Sequence, residues 1–179
     1  MPSLKNSILA LILLASANRG DAQEKDTWPE FRGLNSNGIV TGTRGLPLKW
    51  SETQNIVWKT AINGRAWSSP VIAEGKIWLT NATKDGKEMS AVCLNAKSGE
   101  ILHSVPLFSN TLVEPLGNSI NGYGSPSPVI EQGRVYVHFG SYGTAAINTS
   151  NGNVLWKRTD LPCRHFRGPG SSPVLYNDL

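Results

Sequence analysis

The sequence of 179 residues is poor in cysteine and in charge. Its two cysteines, Cys93 and Cys163, form neither a CxxC pair nor a Cys/His spacing suited to zinc. Charged residues make up 17% of the chain and include no lysine or arginine run, which argues against nucleic-acid binding. One disulfide stays open as an alternative. It is disfavoured because Cys93 falls in a strand pattern and Cys163 in a connection about one repeat later.

Long hydrophobic runs are also lacking, apart from a short one near the start. The apolar stretch from Ile8 to Leu14 follows Lys5, and small residues up to Ala22 offer a cleavage site before Gln23. A bilayer span needs about 20 apolar residues, so this stretch is too short to cross a membrane. We therefore predict a signal peptide over 1–22 and an exported, periplasmic or extracellular protein, with an uncleaved anchor as the alternative. The mature chain carries fifteen basic and twelve acidic residues and is mildly basic.

What the chain does have is a repeat. The stretch Ser69–Ile72 returns as Ser127–Ile130 and as Ser172–Leu175, and its prolines are 58 and then 45 residues apart. The first two copies reach turn glycines, Gly75 and Gly133, at the same offset. Short strands and glycine turns with a period of roughly 40–50 residues are typical of a β-propeller with one blade per repeat. Two blades and a fraction cannot close a ring, so the chain is expected to be the N-terminal part of a larger propeller.

Alternation of apolar and polar residues predicts four antiparallel strands in each of two blades, and therefore an all-β fold. The first blade is expected over 69–107 and the second over 127–159. The predicted strands lie near 69–73, 76–81, 88–94 and 100–106, and then near 127–131, 134–139, 143–148 and 153–159.

The remaining segments are assigned from the same repeat. Residues 23–54 are polar and without sustained periodicity, so they are expected to be a lead-in to repeats that fill 55–179. Residues 55–59 predict the outermost strand of a blade, because they resemble the end of the second repeat. Residues 171–179 predict the start of a third blade.

The second repeat resembles the blade signature of the PQQ-like, or quinoprotein-type, β-propeller family. That signature, A-x-D-x-x-T-G-x-x-x-W, is matched by Ala146, Asn148, Asn151, Gly152 and Trp156, with asparagine in the Asp and Thr places. The first repeat fits less well. It has, at the corresponding places, Cys93, Asn95, Ser98, Gly99 and His103.

The resemblance extends over about residues 28–179. Trp28–Gly33 and Leu46–Trp50 are similar to the opening of secreted bacterial members of this family. It implies that the tryptophan closing one blade packs against the next blade, and so we predict Trp58 and Trp156 to be structural residues between blades.

Two functions of different class are consistent with the resemblance. One is a non-catalytic binding or scaffold module for a protein segment or a glycan. The other is a quinoprotein oxidoreductase that acts on an alcohol or sugar with PQQ and calcium. Family members of the second kind are similar in their repeats but carry adjacent cysteines, calcium ligands and an aspartate base. The chain has no adjacent cysteines, so we expect no cofactor in this part of the protein and favour the binding module.

Candidate recognition residues lie in the connections between blades, which repeat equivalence places on one face of the ring. Arginines suit carboxylates and phosphates, and aromatic rings suit flat apolar groups. An alternative stays open for each, because the arginines could pair with neighbouring carboxylates and the aromatics could be packing between blades. The predicted residues are Arg65, Trp67, Asn121, Tyr123, Arg164, His165 and Arg167.

Overall fold

The structure, a computed structural model, describes residues 27–40 and 45–177. The predicted signal peptide over 1–22 lies outside the described residues, as do 178 and 179. Within the described part of the chain, no helix is long and apolar enough to cross a membrane.

Two four-stranded antiparallel sheets make up the regular structure, each with its strands in sequence order. The all-β propeller fold predicted from the sequence is confirmed, and the observed strands begin and end within three residues of the predicted ones. The first sheet contains β1 (Val71–Ala73), β2 (Lys76–Ala82), β3 (Glu88–Asn95) and β4 (Ile101–Ser109). The second contains β5 (Val129–Glu131), β6 (Arg134–His138), β7 (Thr144–Asn148) and β8 (Val154–Arg158). Short 3-10 turns occur at Leu34–Ser36 and Gly140–Tyr142.

Two predicted strands are corrected by the structure. Residues 55–59 do not join a sheet; instead the Trp58 indole donates to the carbonyl of Ala96 at 3.1 Å. Residues 171–177 also form no strand. Both segments have strand-like sequences, but alternation alone does not make a ladder. Among the described residues, neither segment forms a backbone ladder with a strand.

The two sheets share one hydrophobic core. Trp78 on β2 and Phe139 after β6 are completely buried, and the Phe139 ring meets the edge of Phe108 at 5.9 Å between centroids. The repeated Ser-Pro segments add a hydrogen bond at each step from blade to blade. The backbone N–H of Ser69 donates to the Ser127 hydroxyl at 2.9 Å, and that of Ser127 donates to the Ser172 hydroxyl at 2.9 Å. The repeat first recognised in the sequence therefore has a direct structural role.

The lead-in crosses the inner strands of both blades. Trp28 exchanges two backbone hydrogen bonds with Ile72 on β1, and the Pro29 carbonyl accepts from the N–H of Ile130 on β5. Gly33 has a left-handed backbone with φ of 72°, and the Trp28 ring occupies the space that a side chain there would need. A segment without periodicity is thus fixed by contacts with distant strands.

Candidate functional site

The connections 61–68, 110–126 and 160–171, here called the loop face, are tied together by hydrogen bonds. The guanidinium of Arg65 donates to the carbonyl of Ile120 at 3.2 Å. The amide of Asn121 donates to the carbonyl of Arg167 at 2.7 Å, and the N–H of Gly117 donates to the carbonyl of Phe166 at 2.7 Å. All seven predicted residues therefore lie on joined loops: Arg65, Trp67, Asn121, Tyr123, Arg164, His165 and Arg167.

Three side chains of this face point at water. Arg164 and Arg167 are exposed, and within the described residues neither guanidinium has an ion pair. Phe166, between them, is 76% exposed. Exposed apolar rings beside arginines are typical of surfaces that bind protein.

Asn121 and Tyr123 have structural roles in these loops. The Asn121 side-chain oxygen accepts a hydrogen bond from the N–H of Gly122, and its amide nitrogen donates one to the carbonyl of Arg167. Both polar ends of this side chain are therefore already hydrogen-bonded. Tyr123 is only 6% exposed, and its hydroxyl donates to the carbonyl of Glu114 at 2.7 Å. Burial raises the pKa of Tyr123, and nearby Asp85 and Glu114 raise it further. The position of Tyr123 therefore agrees with the alternative in which its ring packs inside the protein.

His165 anchors its connection to the second blade. Its ring lies against Gly140, and its buried Nε2 has no hydrogen-bond partner among the described residues. A cavity of about 10 Å³ beside it is large enough for about one water molecule. Burial, and to a smaller degree the charge of His165, lower the pKa of the neighbouring His138. His165 is therefore poorly placed to contact a large partner.

Arg65 and Trp67 form a pair at the inner end of the loop face. The Arg65 guanidinium lies 5.8 Å from the centre of the Trp67 ring, a cation–π distance. Trp67 is 60% exposed although it is large and apolar. Trp67 also lines a cleft between the lead-in and the residues before the inner strands, which the sequence did not predict as a site. In the sequence, the aromatic and charged residues of Trp28–Gly33 are the feature that could have indicated this cleft.

The predicted interblade tryptophans differ in their surroundings. Trp58 lies against Gly99, in the turn between β3 and β4, with no room for a side chain at that glycine. His103 on β4 of the first blade contacts Gly152 of the second blade in the same way, at the equivalent turn. Trp156 packs beside the Tyr136 ring at 6.0 Å and is 41% exposed. The described residues thus show a ring packed on a turn glycine at two positions, Trp58 and His103. The equivalent ring of Trp156 is partly exposed.

Possible metal ligands and the two cysteines were located in the described residues. No group of three or more His, Cys, Asp or Glu side chains that could hold a metal ion occurs in 27–40 or 45–177. Cys93 is buried, Cys163 is exposed, and both are free thiols. The disulfide left open by the sequence is not formed.

The chain was compared with models of known protein families and with curated proteins. A family model of PQQ repeats, described as outer membrane protein assembly factor BamB, matches residues 31–160. No curated protein matches the chain. The matched region covers well over half of the chain and contains both four-stranded sheets. The chain therefore belongs to this family of PQQ-like repeat proteins.

Proposed function

We propose that this protein is an exported propeller that binds a protein segment at its loop face. One observation carries the proposal: hydrogen bonds join the connections of this face, and the joined loops expose Phe166 between Arg164 and Arg167. Loops held in place before binding lose less conformational entropy when a partner docks. The name of the matching family model, an outer-membrane assembly factor, is consistent with a protein partner.

The chemistry of the face suggests the partner's composition. Phe166 offers a flat apolar surface, and Ile120, also largely exposed, lies in the adjoining connection. The arginines provide forked donors that match carboxylates. A segment with an aromatic or aliphatic residue flanked by aspartate or glutamate would satisfy both kinds of group. Export, inferred from residues 1–22, would place this interaction in the periplasm or outside the cell.

The test removes the two charges together. In the full-length protein, Arg164→Ala with Arg167→Ala should weaken binding of immobilised acidic peptides containing one aromatic residue, by about tenfold or more. The free energy of unfolding should change by less than about 1 kcal/mol, because exposed loop arginines rarely stabilise a core. The difference in affinity should shrink at high salt, where charges are screened.

A matched control removes two exposed lysines away from this face. Lys97→Ala with Lys49→Ala lowers the net charge by the same amount and should leave peptide affinity unchanged. Equal losses in both double variants would mean that overall charge, and not the loop face, attracts the peptides. Unfolding of the arginine variant would instead assign the arginines to interblade ion pairs.

The quinoprotein function remains an alternative that no observation in the described residues favours. Spectral titration of the full-length protein with PQQ and Ca²⁺ tests it directly. Stoichiometric changes in the PQQ spectrum that require Ca²⁺ would replace the binding-module proposal with an oxidoreductase.

A further inference from the structure

A second, concave surface is lined by neither Arg164 nor Arg167 of the loop face. It is a cleft of about 460 Å³ between the lead-in turn at 30–36 and the residues that precede the inner strands, around Trp67, Ser125 and Ser172. Small-molecule sites in proteins usually enclose about 300–1,000 Å³. The cleft is therefore large enough for a small organic ligand.

Two aromatic rings border the cleft and are open to water. Trp67 is 60% exposed, and Phe31, on the lead-in, is 50% exposed. Each ring presents an apolar face, and flat apolar faces of ligands stack on such rings. The opposite electrostatic preferences of ring face and edge also favour ligands whose C–H groups point toward the ring.

The charged groups of the cleft balance each other. One carboxylate oxygen of Glu30 accepts a hydrogen bond from the Ser36 hydroxyl at 2.8 Å. The exposed guanidinium of Arg32 has no ion pair within the described part of the chain. An anionic ligand would meet the repulsion of Glu30, and a cation that of Arg32. A neutral ligand with several hydroxyl groups can bond to both.

The lead-in turn that carries Glu30 and Arg32 contains residues with positive φ, a backbone conformation that residues other than glycine rarely adopt. Arg32 and Asn35 have φ of 66° and 63°, and both carry side chains. The turn is held by a hydrogen bond from the N–H of Gly38 to the carbonyl of Arg32 at 2.7 Å, and by the Trp28 ring against Gly33. Residues kept in such conformations concentrate at ligand sites, where the surrounding structure holds them.

An extended peptide is a poorer fit than a sugar. A peptide would gain affinity by pairing its backbone with an inner strand, but the lead-in already makes such bonds here. Trp28 pairs with Ile72, and the Pro29 carbonyl accepts from the N–H of Ile130. What the cleft leaves available is aromatic surface and side-chain hydrogen-bonding groups.

We propose that this cleft binds a neutral saccharide. One sugar ring stacks on Trp67, and its hydroxyls hydrogen-bond with the Glu30 carboxylate and the Arg32 guanidinium. The cleft shares Trp67 with the loop face, but its lining includes neither Phe166 nor the two arginines that the protein-binding proposal uses, and neither proposal depends on the other.

The test titrates the full-length protein with cellohexaose, maltohexaose and chitohexaose by calorimetry, with hexagalacturonate as the anionic comparison. At least one neutral sugar should bind with a Kd below about 1 mM. Trp67→Ala should weaken that binding by about tenfold or more, and Glu30→Gln should weaken it as well. Trp50→Ala removes an exposed tryptophan outside the cleft lining and should have no effect.

The outcomes separate the two proposals. Arg164→Ala with Arg167→Ala should leave sugar affinity unchanged, whether or not it affects peptide binding. The saccharide proposal is wrong if no neutral sugar binds, if Trp67→Ala keeps the original affinity, or if hexagalacturonate binds more tightly. Should Trp67→Ala fail to fold, Phe31→Ala decides: unchanged affinity in that variant also overturns the proposal.

Discussion

The two thiols of the chain differ in how far water reaches them. Cys93 lies on β3 and is completely buried, whereas Cys163 is exposed in the connection after β8. Burial raises the pKa of the Cys93 thiol to about 11, although nearby Lys76 opposes the rise. Because the charged thiolate is penalised in the core, Cys93 should stay protonated and unreactive at neutral pH.

This difference predicts how stability depends on pH. An unfolded cysteine ionises near pH 8.5, so between about pH 9 and 11 only the unfolded state releases the proton. The stability that buried Cys93 contributes is present below this range and is lost as pH rises through it. We compare the free energy of unfolding of the full-length wild type with that of Cys93→Ala, measured with urea. The difference between the two should fall by about 2 kcal/mol from pH 8 to pH 10.5. Cys163→Ala serves as the control, and a constant difference for Cys93→Ala would contradict the prediction.

At the level of elements, one contact recurs between a large ring and the turn of a blade. Trp58 covers the turn at Gly99, and His103 covers the equivalent turn at Gly152. Trp156 holds the same place in the second repeat, but its ring is 41% exposed in the described chain. Repeat proteins gain much of their stability from such contacts between neighbouring units.

We predict that Trp58→Ala destabilises the full-length protein by about 3 kcal/mol, since it removes ring packing and the hydrogen bond to Ala96. Trp156→Ala should cost roughly 3–5 kcal/mol if a following blade covers this ring, and it should leave ligand affinity nearly unchanged. Urea unfolding of both variants measures the costs. A loss below about 1 kcal/mol for Trp156→Ala would place its ring on the surface and contradict the interblade role.

For the whole molecule, the second sheet has one covered and one open face. Val135 and Val137 of β6 are buried in the core shared with the first sheet. On the other side, Tyr136, Trp156 and Val174 border a cleft of about 480 Å³. Open apolar faces and free strand edges promote association between copies.

We therefore expect residues 23–179, produced alone, to self-associate and to melt without a sharp cooperative transition. Light scattering against concentration and calorimetry measure the two properties. Trp156→Glu should reduce association, because a charge resists burial in a contact between copies. Leu112→Glu, at another exposed apolar residue, is the control. A monomer with a sharp, reversible melt would contradict this expectation.

In the candidate site, the sequence did not predict which side chains are buried and which are exposed. Tyr123 and His165 were predicted as ligand residues from their places in the connections, yet Tyr123 is packed beside Tyr142 and His165 lies against Gly140. Nothing in the neighbouring sequence distinguishes them from exposed Phe166. Their burial depends on residues roughly 20 positions away along the chain, which only folding brings close.

The amino-acid sequence by itself determined the eight strands of the two sheets, their turns and the blade repeat, because alternation and glycine turns act between residues close in the chain. Tertiary structure decided the rest. It placed the aperiodic Trp28–Gly33 segment across β1 and β5, and it opened the cleft beside Trp67. Those outcomes come from contacts between groups about 40–140 residues apart in the chain. A pattern among neighbouring residues does not encode the free energy of such contacts.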